Sequence, residues 1–282
     1  MLPTHAIEPS RVNPRWLIIY GKKKCGKTTA VSKLKDTLIL DFEKGSDFVS
    51  AVKMKVLGLN ASPTEKPEAK ALRIGESVPE SDRMFYLNEI AVLIRKYRSE
   101  HAGVNPYKRI VIDTCTKLEE LCEDMATLLY MNTPVGSKFN RDTEGKMLPK
   151  SKWETVLTLP MGLGYHYLRQ AFKEWLSVIE DLADDIILVC HVKDKTTNKT
   201  GKAIESNDLD LTGRISQIVA ANSDAIGYMY RKKNETYINF ASTDDTCGSR
   251  CEHLRGREVL IMDEKDGVIK TYWDSIYLDA VK

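Results

Sequence analysis

Nine residues constrain this chain more than any others: Gly21-Lys22-Lys23-Lys24-Cys25-Gly26-Lys27-Thr28-Thr29. They follow the apolar run Trp16-Leu17-Ile18-Ile19-Tyr20 and lead into the helix-compatible stretch Ala30-Val31-Ser32-Lys33-Leu34. The spacing G-x-x-x-x-G-K-[ST] therefore lies between a strand and a helix, the setting in which it cradles phosphate. Two glycines let the backbone turn tightly enough for successive N–H groups to face an anion. The helix N-terminus adds the positive end of its dipole. Lys27 is placed to reach the terminal phosphates, and the Thr28 hydroxyl to ligate Mg²⁺. Residues 21–29 as a whole are assigned to binding a nucleotide, with ATP and Mg²⁺ expected.

At 282 residues, one large α/β domain with insertions is a better fit than two small domains. With 42% hydrophobic and 29% charged residues, the composition is that of an ordinary water-soluble protein. No apolar run approaches a membrane span, and Met1–Glu8 lacks the charged and apolar regions of a secretory signal. The expected location is the cytoplasm, with no membrane partner. Cysteines 25, 115, 122, 190, 247 and 251 read as reduced thiols rather than a disulfide framework. Cys247, Cys251 and His253 lack a second ligand pair at zinc spacing. A net charge of +2 leaves nucleic acid only local patches to bind.

Residues 1–14, with Pro3, Pro9 and Pro14, read as an N-terminal arm, and 15–282 as the folded domain. Buried strands are expected at Leu38–Glu43, Arg109–Asp113 and Ile186–His191, with helices capped by Ser81 or Asp82, after Asp113, from Tyr165 to Leu182 and from Leu211 to Ala221. Polar insertions are expected at about 58–82 and 131–164. From about 225 the texture changes to short alternating strands, with hairpin signals at Lys233-Asn234 and Asp266-Gly267. The fold class is thus α/β: a mostly parallel sheet flanked by helices, extended by antiparallel strands at the C-terminal edge.

Hydrolysis needs a metal anchor, a base for water and a sensor of the terminal phosphate. Asp113, at the tip of Ile110-Val111-Ile112, suits the first role, holding Mg²⁺ through water. Thr114 follows it, so no base stands next to the anchor. Asp41 and Glu43 end the neighbouring strand two residues apart, on the same face by strand periodicity. Glu43, nearer the tip, is the candidate base, and Asp41 either assists it or caps the helix beyond. His191 ends the fourth strand, where a polar side chain would sense the phosphate.

The order of phosphate loop, acid-tipped LILDFEKG, RIVIDT and polar-tipped IILVCH resembles the RecA-type ATPase core. More closely, the chain resembles phage-encoded, RecA-like AAA-domain ATPases of the single-strand annealing and recombination type. Leu159-Pro160-Met161-Gly162-Leu163-Gly164-Tyr165-His166-Tyr167-Leu168-Arg169, Leu211-Thr212-Gly213-Arg214 and Asp224-Ala225-Ile226-Gly227 carry the likeness, which runs from about Pro14 to Tyr277. It implies catalytic roles for Lys27, Glu43 and His191, although RecA has glutamine where His191 stands. Three lysines inside the phosphate loop also depart from the pattern.

The resemblance further implies two DNA-facing loops, and both places are basic. Asn132–Lys152 holds Lys138, Arg141, Lys146, Lys150 and Lys152 against two acids, and Lys193–Lys202 holds Lys193, Lys195, Lys199 and Lys202 against one. Phe139 and Trp153 would add base stacking. Single-stranded DNA is the implied partner, with self-association into a ring or filament and contacts with other recombination or replication proteins. Arg231, Lys232 and Lys233 are candidate fingers on a neighbour's ATP. A second reading is a nucleotide-dependent switch or scaffold with little turnover that controls a protein partner. A small-molecule kinase fits less well, because no arginine-rich acceptor lid is visible.

Overall fold

The computed structural model describes residues 8–43, 45–56, 80–149, 152–193, 196–197, 203–204, 208–241 and 246–280. Its strands are β1 (Trp16–Gly21), β2 (Thr37–Asp41), β3 (Lys53–Lys55), β4 (Arg109–Asp113), β5 (Asp185–His191), β6 (Thr196–Thr197), β7 (Ala203–Ile204), β8 (Ala225–Lys232), β9 (Glu235–Asn239), β10 (Gly248–Ser249), β11 (Glu258–Lys265) and β12 (Val268–Thr271). Its helices are α1 (Lys27–Ser32), α2 (Glu80–Glu100), α3 (Cys115–Met131), α4 (Leu163–Glu180) and α5 (Arg214–Asn222).

One sheet runs in the order β12-β11-β9-β8-β1-β5-β4-β2-β3, with β10 paired to β8. From β3 to β8 the pairings are parallel, and from β8 to β12 antiparallel. The fold class expected from the sequence is the one found. The parallel strands read as unbroken apolar runs because both their faces are covered. In β1, Trp16, Ile18 and Tyr20 enter the core beneath α2–α5. Leu17 and Ile19 point the other way, into a second core with Ala30, Val31, Leu254, Trp273 and Tyr277. Period-two alternation thus feeds two cores from one strand.

α1 is short, and its C-terminal half depends on the far end of the chain. Trp273 Nε1 donates to the Ala30 carbonyl at 2.8 Å. The expected hairpin turns are present: Lys232 pairs with Glu235 around Lys233-Asn234, and Lys265 with Val268 around Asp266-Gly267. Asp266 and Gly267 both have positive φ, as a two-residue type I′ turn requires.

Several boundaries differ from expectation. The helix expected from Leu211 starts at Arg214, after Gly213 at φ 53. The helix expected from Tyr165 starts two residues earlier, at Leu163. The excursion at 131–164 is well anchored in its described part. Asn140 donates to the Glu154 carbonyl at 3.0 Å and accepts from the Glu154 N–H at 2.8 Å, and Val156 is buried against the helical core. Of the insertion expected at 58–82, residues 58–79 lie outside the described residues. In the arm, Arg11 Nη2 bonds Asp185 Oδ1 at 2.6 Å and Asn13 Nδ2 bonds Asp279 Oδ1 at 3.0 Å.

Candidate active site

Four parallel strands end at one edge, with Asp41, Asp113 and His191 at the tips of three of them and Glu43 two residues past the end of β2. Gly21 lies beside His191 in the β1–β5 register, Asp113 beside Val189, and Asp41 beside Asp113. A crevice at the carboxyl ends of parallel strands is where ligands bind in open α/β sheets. Here it is a cleft of 760 Å³ whose walls include Lys27, Thr28, Glu43, Asp113, Lys117 and His191.

The loop at 21–29 owes its shape to two glycines. A Cβ on Gly21 would stand 2.3 Å from the Met229 carbonyl oxygen, so β8 can approach only a glycine. Gly26 has φ 101 and precedes α1 directly, a conformation that only glycine adopts freely. Cys25 faces inward to the second core, and burial pushes its thiol pKa up; its contribution to a ligand is its main chain. Lys22, Lys23 and Lys24 are exposed, and Lys23, Lys24 and Thr29 line the cleft. The Lys27 ammonium folds back onto the loop, donating to the carbonyls of Gly21 at 2.8 Å and Lys22 at 2.9 Å.

Thr28 Oγ1 donates to Asp113 Oδ2 at 2.7 Å. These two hard oxygen donors stand side by side at the cleft wall, a donor set that suits Mg²⁺, which takes one carboxylate, a hydroxyl and phosphate oxygens rather than an all-protein cage. Burial pushes the Asp113 carboxyl up to about 6 against the Thr28 hydrogen bond, and the charges of Asp41 and Glu43 push the same way.

That shift fixes the sign of a stability effect in the metal-free protein. Asp113 titrates near 3.8 unfolded and about 6 folded, so between those values the folded state binds more protons and stability falls as pH rises. Above about pH 6 the full cost is present, on the order of 3 kcal/mol. Asp113→Asn is therefore expected to raise metal-free stability at pH 7.5, measured by urea unfolding with chelator present. At pH 3.5 the gain should vanish.

Asp41 and Glu43 part company. The expectation that they share a face is not met, because β2 ends at Asp41 and strand periodicity does not reach residue 43. Asp41 is fully buried. It accepts from the Glu43 N–H at 2.9 Å, the Ser46 N–H at 3.1 Å and the Ser46 hydroxyl, which shapes the turn after the strand. Glu43 faces the cleft. Its Oε1 accepts from Thr114 Oγ1 at 2.6 Å, and His191 Nε2 lies 3.0 and 3.1 Å from its two oxygens. Burial raises this carboxyl, but the bonds from His191 and Thr114 outweigh it and hold its pKa below the ordinary value.

From the sequence, Thr114 reads only as a position without a base. It is also the N-cap of α3, accepting from the Lys117 N–H at 3.3 Å, so one hydroxyl joins the helix start to Glu43. A threonine directly before a helical run was the available signal. The sequence does not single out Lys117, whose position three residues past the helix cap is the available signal.

From His191 the chain continues outward as a ladder. Asp210 N–H donates to the His191 carbonyl at 3.0 Å and Lys193 N–H to the Asp208 carbonyl at 2.9 Å. Val192 bridges Leu209, and β6 pairs with β7 beyond. Lys193 is exposed, whereas Lys195, Lys199 and Lys202 lie outside the described residues. Lys138 and Arg141 are exposed and apart from the cleft, with Arg141 Nη1 donating to the Gly145 carbonyl at 2.9 Å. Arg231 pairs with Glu264 at 3.0 Å and Lys232 with Glu258 at 3.2 Å. Cys247 Sγ donates to the Ala241 carbonyl at 3.7 Å, Cys251 forms no disulfide among the described residues, and His253 Nε2 meets the Ile276 carbonyl at 2.9 Å.

Comparison with known families decides what this loop and sheet belong to. The AAA domain family AAA_24 matches residues 13–268. The chain belongs to that family. An AAA domain implies ATP as the nucleotide and, typically, Mg²⁺ beside it. No curated protein matches the sequence. Among solved structures, an ATPase from the type III secretion system of pathogenic bacteria superposes with a TM-score of 0.39 at 10% identity, over 78% of this chain and 53% of that one. This AAA domain thus spans about half the length of that structure. No helix among its described residues is long and apolar enough to cross a membrane.

Proposed function

We propose that this AAA domain is a Mg²⁺-dependent, RecA-like ATPase of phage type that acts on single-stranded DNA in recombination, annealing or replication. The observation that carries the reading is the position of His191. Its ring holds Glu43 inside the cleft, and its carbonyl begins the ladder toward the lysine-rich segment at 193–202. One residue thereby touches the candidate base and the stem of the candidate DNA loop.

In this reading Thr28 and Asp113 would hold Mg²⁺, which would offset the charge of the triphosphate. Lys27 leaves the Gly21 and Lys22 carbonyls for the phosphates. Glu43 orients water and takes its proton, and it is ionised at neutral pH. Release of Glu43 by His191 and Thr114 is the step that nucleotide or DNA controls. The main-chain N–H groups of 22–29 bind phosphate and need no side-chain movement.

ATP turnover stimulated by single-stranded DNA, and lost in Lys27→Ala, is the expected result. Neutralising Lys193, Lys195, Lys199 and Lys202 together should flatten the salt dependence of DNA binding, since each phosphate contact adds about 0.7 to the slope for single strands. Stimulation that survives the fourfold change argues against the loop.

A second reading has its own observation. Glu43 is tied by two partners, a posture that suppresses proton transfer and suits a nucleotide-dependent switch with little turnover. Tight ATP binding without DNA stimulation would favour it.

A further inference from the structure

Lys117 is the third residue of α3 and lines the same cleft as Lys27, Glu43 and His191. Its ammonium rests on Glu120, with Nζ 2.7 Å from Oε1. Both side chains are about half exposed, at 43% and 54%. Exposed pairs one helical turn apart contribute little, so Lys117 is released at small cost. Its charge already reaches Glu43, where it favours the ionised carboxylate. The other cleft lysines, Lys23, Lys24 and Lys27, all come from the phosphate loop. Lys117 comes from the start of the helix beyond β4, on the side of the cleft where Thr114 and Glu43 meet.

We infer that Lys117 leaves Glu120 to bind the terminal phosphoryl group and acts as a second catalytic cation from within the same chain. The inference rests on the ATPase reading above. In the step it serves, the oxygen of water attacks the γ-phosphorus. The bond to the β–γ bridging oxygen breaks, and its electron pair stays with ADP. The water proton passes to Glu43, and the products are ADP and inorganic phosphate. Lys117 keeps its protons and donates hydrogen bonds to the equatorial oxygens, where charge accumulates in the transition state. A donor aimed there acts more strongly on the transition state than on bound ATP.

Lys117→Met is expected to lower kcat by about 100-fold, the usual loss for one such donor. Affinity for ADP should stay within about 3-fold, since uniform binding is untouched. ADP with aluminium fluoride, a mimic of the transferring group, should lose its extra affinity over ADP alone. Lys117→Arg should recover most of the rate, because the positive charge is kept.

A Lys117→Met kcat within about 3-fold of the parent overturns the inference, as that is far below the loss of a transition-state donor. So does a fall in kcat matched by an equal loss of ADP affinity or of melting temperature, which marks a structural role. Lys27→Ala in the same assay separates the two layers. If parent turnover equals that of Lys27→Ala, the ATPase reading fails and Lys117 falls with it. If Lys27→Ala is dead and Lys117→Met is not, Lys117 alone is wrong.

Discussion

Glu43→Gln is expected to cut ATP turnover by about 10²- to 10⁴-fold, the range a positioned general base contributes, while nucleotide affinity changes little. Glutamine keeps the size of the side chain and an oxygen for the Thr114 hydroxyl, but it cannot accept the proton from water. The neighbouring carboxylates do not replace it. Asp41 is fully buried, and its two oxygens accept from the Glu43 and Ser46 N–H groups. Asp113 is tied to Thr28, and burial pushes its carboxyl up to about 6. Single-turnover chemistry and fluorescent-nucleotide binding, measured together, separate the base from a binding role. Turnover within a few-fold of the parent would rule out Glu43 as the base and move the assignment to a group from another chain. Because His191 and Thr114 hold Glu43 below its ordinary pKa, no acid limb from this residue should appear in the pH–rate profile near neutrality.

The same residues show what could and could not be read from the sequence. Glycine spacing, an apolar run and a lysine–threonine pair suffice to locate residues 21–29, because each requirement is local. Asp113 and His191 are legible for a related reason: a polar residue that ends a buried strand must emerge at the sheet's edge. Glu43 is only half legible. Periodicity put it with Asp41, but β2 stops at Asp41 and the chain then turns around that buried carboxylate. Where a strand ends depends on the Ser46 bonds that follow it, and no pattern announces those. Lys117 and the Trp273 bond to α1 depend on elements distant in sequence coming together. The charge cluster at the opposite end of the sheet is the extreme case, since its members come from the N-terminal arm, two strand starts and the C-terminal segment.

That cluster carries the largest expected effect on stability. Arg109 and Asp185 begin β4 and β5 and are almost fully buried, with side chains 2% and 4% exposed. Arg109 Nε stands 3.3 Å from Asp185 Oδ2 and Nη2 3.1 Å from Asp279 Oδ1. Its guanidinium lies over the Tyr277 ring at 4.3 Å. The Nε contact is an ion pair rather than an aligned hydrogen bond, because Nε has no hydrogen-bond partner among the described residues. Arg11 bonds the other Asp185 oxygen at 2.6 Å from a half-exposed position. Burial already pushes the Asp185 carboxyl up, and Arg109 is foremost in pulling it back. Arg109→Ala removes that cation and the cover over Tyr277, and should cost about 3–5 kcal/mol, as breaking one side of a buried pair does. Domains of this kind have only about 5–15 kcal/mol in total, so urea unfolding should show a large shift in midpoint. The deficit should shrink on going from pH 7 to pH 4, because a proton on Asp185 removes the uncompensated charge and the variant's raised pKa admits it sooner. Arg109→Met with Asp185→Leu should recover most of the loss, since an apolar pair of similar volume replaces a buried ion pair with little net cost. If the double variant is as unstable as Arg109→Ala, the cost lies in the ties to Asp279 and Tyr277. The Arg109 side chain would then act by fastening the C-terminal segment, whose Trp273 holds α1 in place behind the phosphate loop.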